Sequence, residues 1–402
     1  MAAFRSGSLE SPADAIDAVV AGHVSLDLAP TLQGPVTLEP GHLVVVGPAL
    51  VSTGGVVCNT GLALHRLGVR VRLSGKVGAD LFGRAVLEAL VDRDERLADD
   101  IAVVEGEVTS YTIVINPPGF DRSFLHCAGV NQTFSADDVH PELVAGSRMF
   151  HFGYPPLMPA MYADGGAELR RLFARVHQAG PATSLDLCAF DPDSAAAKAD
   201  WAGVLATALP HVDLFAPSID EVLFILDRSA HDRLRAGVSL AELVDRARLA
   251  ELGDMLIGMG AAVVAIKLGQ QGLYVRTATD AARTQAFCER LGLSVDAWCA
   301  REVFAPCFEA REVVATTGSG DCTIAGLLAA LLRGADPADA ATEATAVGAF
   351  SVEATDPTSA IPPWPQVAAR IEAGWPRVPV DIELGRGVSA ERDAAGTLTL
   401  SS

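Results

Sequence analysis

The sequence predicts an α/β fold: a doubly wound, mostly parallel sheet with a small β-rich lid. Three observations carry that prediction. Strand-sized apolar runs alternate with helix-length periodic segments, most regularly from Met149 onward, and connections of that length bring successive strands back parallel. Short β-prone segments in the N-terminal third lie outside this alternation and have the size of a lid. Residues able to do chemistry fall just after the strands, where open parallel sheets place their ligands.

Taken in order, the first ~14 residues read as a frayed lead, and residues 18–24 as a buried strand that leaves Asp27 at its carboxyl end. Residues 33–46, with Pro35, Pro40 and Gly41, read as short β segments, as do 108–115 and 123–126. The lid is therefore expected as a discontinuous piece from about 28–46 and 105–127. Between its parts Gly54-Gly55 opens a helix over 57–67, and a strand over 70–74 leads through Gly75-Lys76-Val77-Gly78-Ala79-Asp80 into another helix. Strands at 149–152, 183–187 and 214–216 then alternate with helices at 162–178, 201–208 and 221–226. Apolar strands at 263–267 and 273–276 flank the turn Gly269-Gln270-Gln271-Gly272, and residues 277–301, helix-prone, read as a surface insertion. The main domain is expected over 15–378, with polar residues 379–402 as a loose tail or an added edge strand.

Composition excludes several classes. At 402 residues and 50% hydrophobic, the chain can bury a large core, so disorder is not the default. Its apolar runs are broken by Gly, Pro, Asp or Arg and the N-terminus lacks a secretory design, so a soluble cytoplasmic protein without a membrane partner is expected. Seven scattered Cys, none in a Cys-x-x-Cys pair, predict reduced thiols rather than a disulfide frame or a zinc site. A formal net charge of −20 repels polyanions at long range, so nucleic acid is not an expected partner, although a few local donors can still hold a small phosphate.

The stretch Val313-Val314-Ala315-Thr316-Thr317-Gly318-Ser319-Gly320-Asp321 joins a β-branched run to a glycine turn and then to an apolar helix. Gly318 and Gly320 allow dihedrals that aim successive N–H groups at one point, and the first helical turn adds unpaired N–H groups of its own. Such a nest suits the charge that develops on a transferred phosphate. Asp321 belongs beside it if its task is to take a proton from the attacking group. A phosphotransferase is the first hypothesis.

With Asp27, Gly54-Gly55, Asn59, Tyr154, Asp186, Ser218, Glu221, Lys267 and the Gly318 turn in that order, the chain resembles the ribokinase-like (PfkB) family of ATP-dependent carbohydrate kinases over residues 18–375. The family's C-terminal signature, Asp-Thr-x-Gly-Ala-Gly-Asp followed by a small pair, is met by Thr316-Thr317-Gly318-Ser319-Gly320-Asp321 and Ala325-Gly326, with Ala315 in place of the first Asp. The resemblance implies that Asp321 is the base and that the N–H groups of Gly318, Ser319 and Gly320 form its anion hole. It implies a substrate floor of Asp27, Gly54, Gly55 and Asn59, and nucleotide contacts from Lys267, Gly269, Gly272 and Thr317. The motif Asn-x-x-Glu is present as Ser218-Ile219-Asp220-Glu221, so Mg²⁺ is an implied cofactor, with Glu221 and Ser218 on its side. Ala315 removes the carboxylate that supports a K⁺ site. Tyr154, in Gly153-Tyr154-Pro155-Pro156, offers a flat apolar face for a sugar or a base.

Each residue also has a plainer reading. Asp321 suits a helix start by its capping chemistry, Asp27 a strand-end turn, and Asn59 an internal cap. Lys267 can snorkel to solvent, and Glu221 can serve the helix dipole. The ordered company of these residues favours an ATP-dependent kinase acting on a hydroxyl of a monosaccharide or related polyol. The alternatives are a nucleoside kinase of the same fold and a non-catalytic sugar or nucleotide sensor. Exposed lid edges suggest a homodimer through the lid, which a solution mass of one chain would rule out.

Overall fold

The computed structural model describes residues 15–36, 39–118, 122–384 and 390–400. The segment read as a frayed lead lies outside them. An 11-stranded sheet forms the body. Its strands are β1 (Ala18–Gly22), β4 (Val71–Gly78), β5 (Ile101–Val104), β8 (Met149–Gly153), β9 (Ala182–Leu185), β10 (Leu214–Phe215), β11 (Val263–Lys267), β12 (Leu273–Thr277), β13 (Glu302–Ala305), β14 (Ala390–Arg392) and β15 (Leu398–Leu400). From β11 through β10, β9, β8, β1 and β4 to β5 neighbours pair parallel, and β12, β13, β15 and β14 extend the sheet antiparallel.

Period-two alternation explains why the sheet is covered on both faces. Along β1, Ala18 and Val20 enter one apolar core with the helix Val56–Arg66 and the helix Ser319–Leu332, while Val19 and Ala21 enter a second with the helix Ala167–Ala179. Both cores are aliphatic and aromatic, and the strands between them are buried.

A separate 4-stranded sheet forms the lid, in the order β3 (Ala49–Gly54), β2 (Ser25–Pro30), β6 (Tyr111–Ile115) and β7 (Ser123–Cys127). Here the strand positions differ from the sequence-based expectation. The first core strand stops at Gly22, whose φ of 125° and close approach to the Gly153 carbonyl break it, and the chain turns through His23-Val24 into lid strand β2. Asp27 therefore stands on the lid, not at the end of a core strand. Among the described residues of 33–46 there is no strand: Pro35 and Pro40 lack ladder donors, and the segment is closed by Thr31 N–H to Pro48 O and Gly47 N–H to Thr31 O. Ala49–Gly54 pairs with β2 instead.

Two further stretches depart from their first reading. Residues 277–301 do not lie loosely on the surface, because the helix Ala281–Leu291 has Thr284, Phe287, Cys288 and Leu291 on one stripe, and all four are buried. Trp298 packs edge-on against Phe287 and donates to the Ala335 carbonyl. The β-branched run at Val313-Val314 is an exposed connection rather than a strand. In the tail, β15 pairs with β13 and β14 with β15, extending the sheet.

Candidate active site

The helix Ser319–Leu332 begins at the turn singled out in the sequence. Gly318 is left-handed (φ 71°), and a β-carbon there would lie 2.6 Å from the Pro357 ring and 3.2 Å from Asn59 Nδ2. Only glycine fits. Among the described residues no side chain caps this helix, although Ser319 N–H turns back to the Thr316 carbonyl at 3.3 Å, a long bond that an anion can compete with. Arg122, just before β7, donates to Thr317 Oγ1 and ties the lid to this turn.

Asp321 lies in the first helical turn and is 3% exposed. Its Oδ2 accepts from Tyr154 Oη at 2.7 Å and from Asn59 Nδ2 at 2.9 Å. Its Oδ1 is buried and has no hydrogen-bond partner among the described residues. Burial pushes the Asp321 carboxyl above its ordinary range, and the two hydrogen bonds and the Lys267 charge pull it back.

Asn59 reaches Asp321 because the helix Val56–Arg66 starts at Gly55, beside the nest. Gly55 has φ 82°, and a β-carbon there would meet the His23 carbonyl at 2.5 Å and His23 Nδ1 at 2.6 Å. Gly54 lies directly against Asp27, with a hypothetical β-carbon 2.4 Å from Oδ2. The two glycines therefore leave room for the groups that face the cleft.

In the lid sheet Ser52, Asp27, Thr112 and His126 form one cross-strand row, and Val51, Leu28, Ile113 and Leu125 form the next. Successive rows face opposite ways: Asp27 lies close enough to feel the Asp321 charge, while in the next row Leu28 packs against the body's core and Val51 and Leu125 are exposed. Ser25 Oγ donates to Asp27 Oδ1 at 3.2 Å, and Thr112 Oγ1 lies 3.0 Å from His126 Nδ1. His126 packs 5.2 Å from the His23 ring, which in turn lies 5.8 Å from the Tyr154 ring. Burial holds the His23 imidazole well below its ordinary titration range, and partial desolvation lowers His126, which is exposed on its strand.

Burial, aided by the Asp321 charge, raises the Asp27 carboxyl from 3.8 to about 6. Ionising it in the folded chain therefore costs stability. The cost is absent below the unfolded value, grows as pH rises to about 6, and is complete above it. Asn at this position never ionises. Asp27→Asn should raise the melting temperature at neutral pH by roughly 2–5 °C, from about 1–3 kcal/mol of relieved ionisation cost, and the gap should close near pH 4. Thermal melts across that range would reject the assignment if the gap were independent of pH.

On the other side of the nest Lys267, the last residue of β11, donates to Asp186 Oδ1 at 2.6 Å. Its ammonium would lie 3.7 Å from a β-carbon on Gly320, which puts it at the helix N-terminus. Burial alone would lower the lysine, but Asp186, Glu221 and Asp321 outweigh it and hold Lys267 above its ordinary value. Ser218 and Glu221 form a reciprocal capping box: Ser218 N–H donates to Glu221 Oε2 at 2.7 Å and Glu221 N–H to Ser218 Oγ at 3.3 Å. The plainer reading of Glu221 is thus present in the structure. Gly272 is required by packing, since a β-carbon would stand 2.1 Å from the Ala305 carbonyl, whereas Gly269 (φ 57°) lies in open space at the turn before β12.

The sequence-predicted residues around Gly318, Asn59, Tyr154, Asp27 and Lys267 thus converge on one cleft. Missed were Arg122, His23, His126 and the role of Asp186. A β strand that breaks at Gly22 and resumes at Ser25 was the available signal for His23. Nothing local marks Arg122.

A backbone anion nest beside a buried carboxylate, at the carboxyl edge of a parallel sheet and under a lid, belongs to the α/β phosphotransferases. The model of the pfkB family carbohydrate kinases matches residues 15–364. Over 341 residues the chain is 24% identical to the 2-dehydro-3-deoxygluconokinase of Bacillus subtilis, an alignment covering 79% of this chain and 86% of that protein. In fold it is similar to the ribokinase of Arabidopsis thaliana complexed with ribose and ATP, with 18% identity and a TM-score of 0.66 over 88% of this chain and 98% of that one. It is also similar to the nucleoside kinase of Methanocaldococcus jannaschii, with 17% identity and a TM-score of 0.62 over 89% and 99%. The chain belongs to the PfkB family of carbohydrate kinases, enzymes that phosphorylate sugars with ATP.

Proposed function

We propose that the acceptor is a free monosaccharide or related polyol and that Asp321 is the base. The observation that carries this is the buried, unpartnered Oδ1 of Asp321 at an uncapped helix N-terminus, across from the polar lid row holding Asp27. The acceptor hydroxyl gives its proton to Oδ1 as its oxygen bonds to the γ-phosphorus of ATP. The bond from that phosphorus to the β-phosphate oxygen breaks, and ADP leaves with the electron pair. The N–H groups of Gly318, Ser319 and Gly320 stabilise the charge that gathers on the phosphoryl oxygens, and Lys267 adds a point charge beside them. Asp27, ionised above about pH 6, accepts hydrogen bonds from two substrate hydroxyls. The lid excludes water, which limits ATP hydrolysis.

Mg²⁺ fits this donor set. Among the described residues there is no cluster of three or more metal-ligating side chains, and Mg²⁺ that keeps its waters and arrives with phosphates needs no such cage. Glu221, held by its capping box, would orient a metal-bound water, and Ser218 would stand beside it. The metal supplies charge neutralisation of the phosphates.

A nucleoside kinase of the same fold is the second reading. A panel of free sugars, sugar acids and nucleosides scored by ADP release tests the proposal. Release with a neutral sugar is expected; release with nucleosides alone would overturn it.

A further inference from the structure

Tyr154 sits in a conformation that a tyrosine rarely adopts. It follows β8 and precedes Pro155, which disfavours the right-handed helical region, and its backbone is left-handed at φ 68° and ψ 35°. Gly153, packed against Val56, and the His23 ring 5.8 Å away hold the turn on either side. The outcome of this strained turn is one contact, the 2.7 Å hydrogen bond from Tyr154 Oη to Asp321 Oδ2. Strain of this kind persists where surrounding structure over-determines it, and here it delivers a phenol to a buried carboxylate.

The two oxygens of Asp321 are treated unequally. Oδ2 is filled twice, by Tyr154 and by Asn59, while Oδ1 is buried without a partner among the described residues. A carboxylate free to rotate would offer either oxygen. With Oδ2 doubly bonded, only Oδ1 can meet an incoming hydroxyl, and it does so at a fixed angle. We propose that Tyr154 is a positioning residue for the phosphoryl-transfer base, holding one oxygen of Asp321 so that the other is presented to the acceptor hydroxyl. The proposal rests on Asp321 being that base.

A second consequence is electrostatic. The phenol stabilises the ionised carboxylate against burial, in the company of Lys267 on β11, Asp186 and Cys188 beyond β9, Asp27 on the lid and Cys322 on the same helix. Of these only Lys267 favours the charged form by its charge, so loss of the phenol moves the base toward its protonated state.

Tyr154→Phe keeps the ring, its packing on His23 and the left-handed turn, and removes only the donor. It should lower kcat roughly 10- to 100-fold, move the acid limb of kcat/KM about one unit to higher pH, and leave KM for sugar and ATP within about threefold. Tyr154→Asn, a residue that tolerates the left-handed region, is the second variant should Phe fail to fold, and the same limb shift is expected. An unmoved acid limb, or a raised sugar KM at unchanged kcat, would overturn the proposal; the latter would make Tyr154 a wall of the sugar pocket. Asp321→Asn separates this from the base assignment. If that variant keeps turnover the base itself is wrong, and if it is inactive while Tyr154→Phe titrates like wild type, only the role of Tyr154 fails.

Discussion

Asp321→Asn should bind ATP about as well as the wild-type chain and lose roughly three orders of magnitude in kcat. Asn has the size of Asp, so the N–H nest at Gly318, Ser319 and Gly320 keeps its shape, and the amide oxygen can still accept from Tyr154. What disappears is the proposed acceptor for the hydroxyl proton. A positioned general base contributes about 10²–10⁴-fold, and a loss near 10³ corresponds to about 4 kcal/mol of transition-state stabilisation. Stability should change little, because a buried carboxylate that resists ionisation is removed while Lys267 loses one of three neighbouring anions. Calorimetry for ATP, thermal melts and single-turnover phosphoryl transfer read the three parts separately. Turnover within tenfold of wild type would defeat the assignment, and a collapse of ATP affinity would show that Asp321 shapes the nest instead.

The parts of the fold that sequence exposed are those set by local periodicity. The alternation from Met149 onward reports a parallel sheet because each strand is followed by a helix-length segment with one apolar stripe. The Gly318 turn was equally legible, since glycine spacing before an apolar helix has few other uses. The lid is displaced for a physical reason: β2 follows β1 after only His23-Val24, and the φ of 125° at Gly22 turns the chain between them. The burial of the helix Ala281–Leu291 is hidden in the sequence because Phe287, Cys288 and Leu291 join a core most of whose other members are distant in the chain. Likewise the hydrogen bond from Tyr154 to Asp321, 167 positions away, leaves no trace in local pattern. Residue types were thus readable, while their pairings required the fold.

Lys267→Met should produce the second large loss, and the pH dependence of that loss identifies its cause. Three carboxylates, Asp186, Glu221 and Asp321, share the Lys267 ammonium, and Asp186 is bonded to it directly at 2.6 Å while nearly fully buried. Without the lysine, Asp186 is left as an uncompensated buried charge, a change that costs about 3–5 kcal/mol, or else it takes up a proton. Burial already holds the Asp186 carboxyl well above its ordinary value beside Lys267, and loss of the lysine raises it further, so the deficit should be small at acidic pH and grow only as pH rises past the wild-type folded value. Asp321 loses its opposing charge in the same step, which moves the acid limb of kcat/KM upward, and kcat near neutrality should fall about 10²-fold or more. The double variant Lys267→Met, Asp186→Asn separates two roles for this lysine. Removing the orphaned carboxylate should restore most of the melting temperature in either case. If Lys267 also supplies charge to the transferred phosphoryl group, kcat should stay low in the double variant. Recovery of kcat along with stability would reduce Lys267 to a counter-ion for Asp186, and the charge at the anion nest would then come from the backbone and the metal alone.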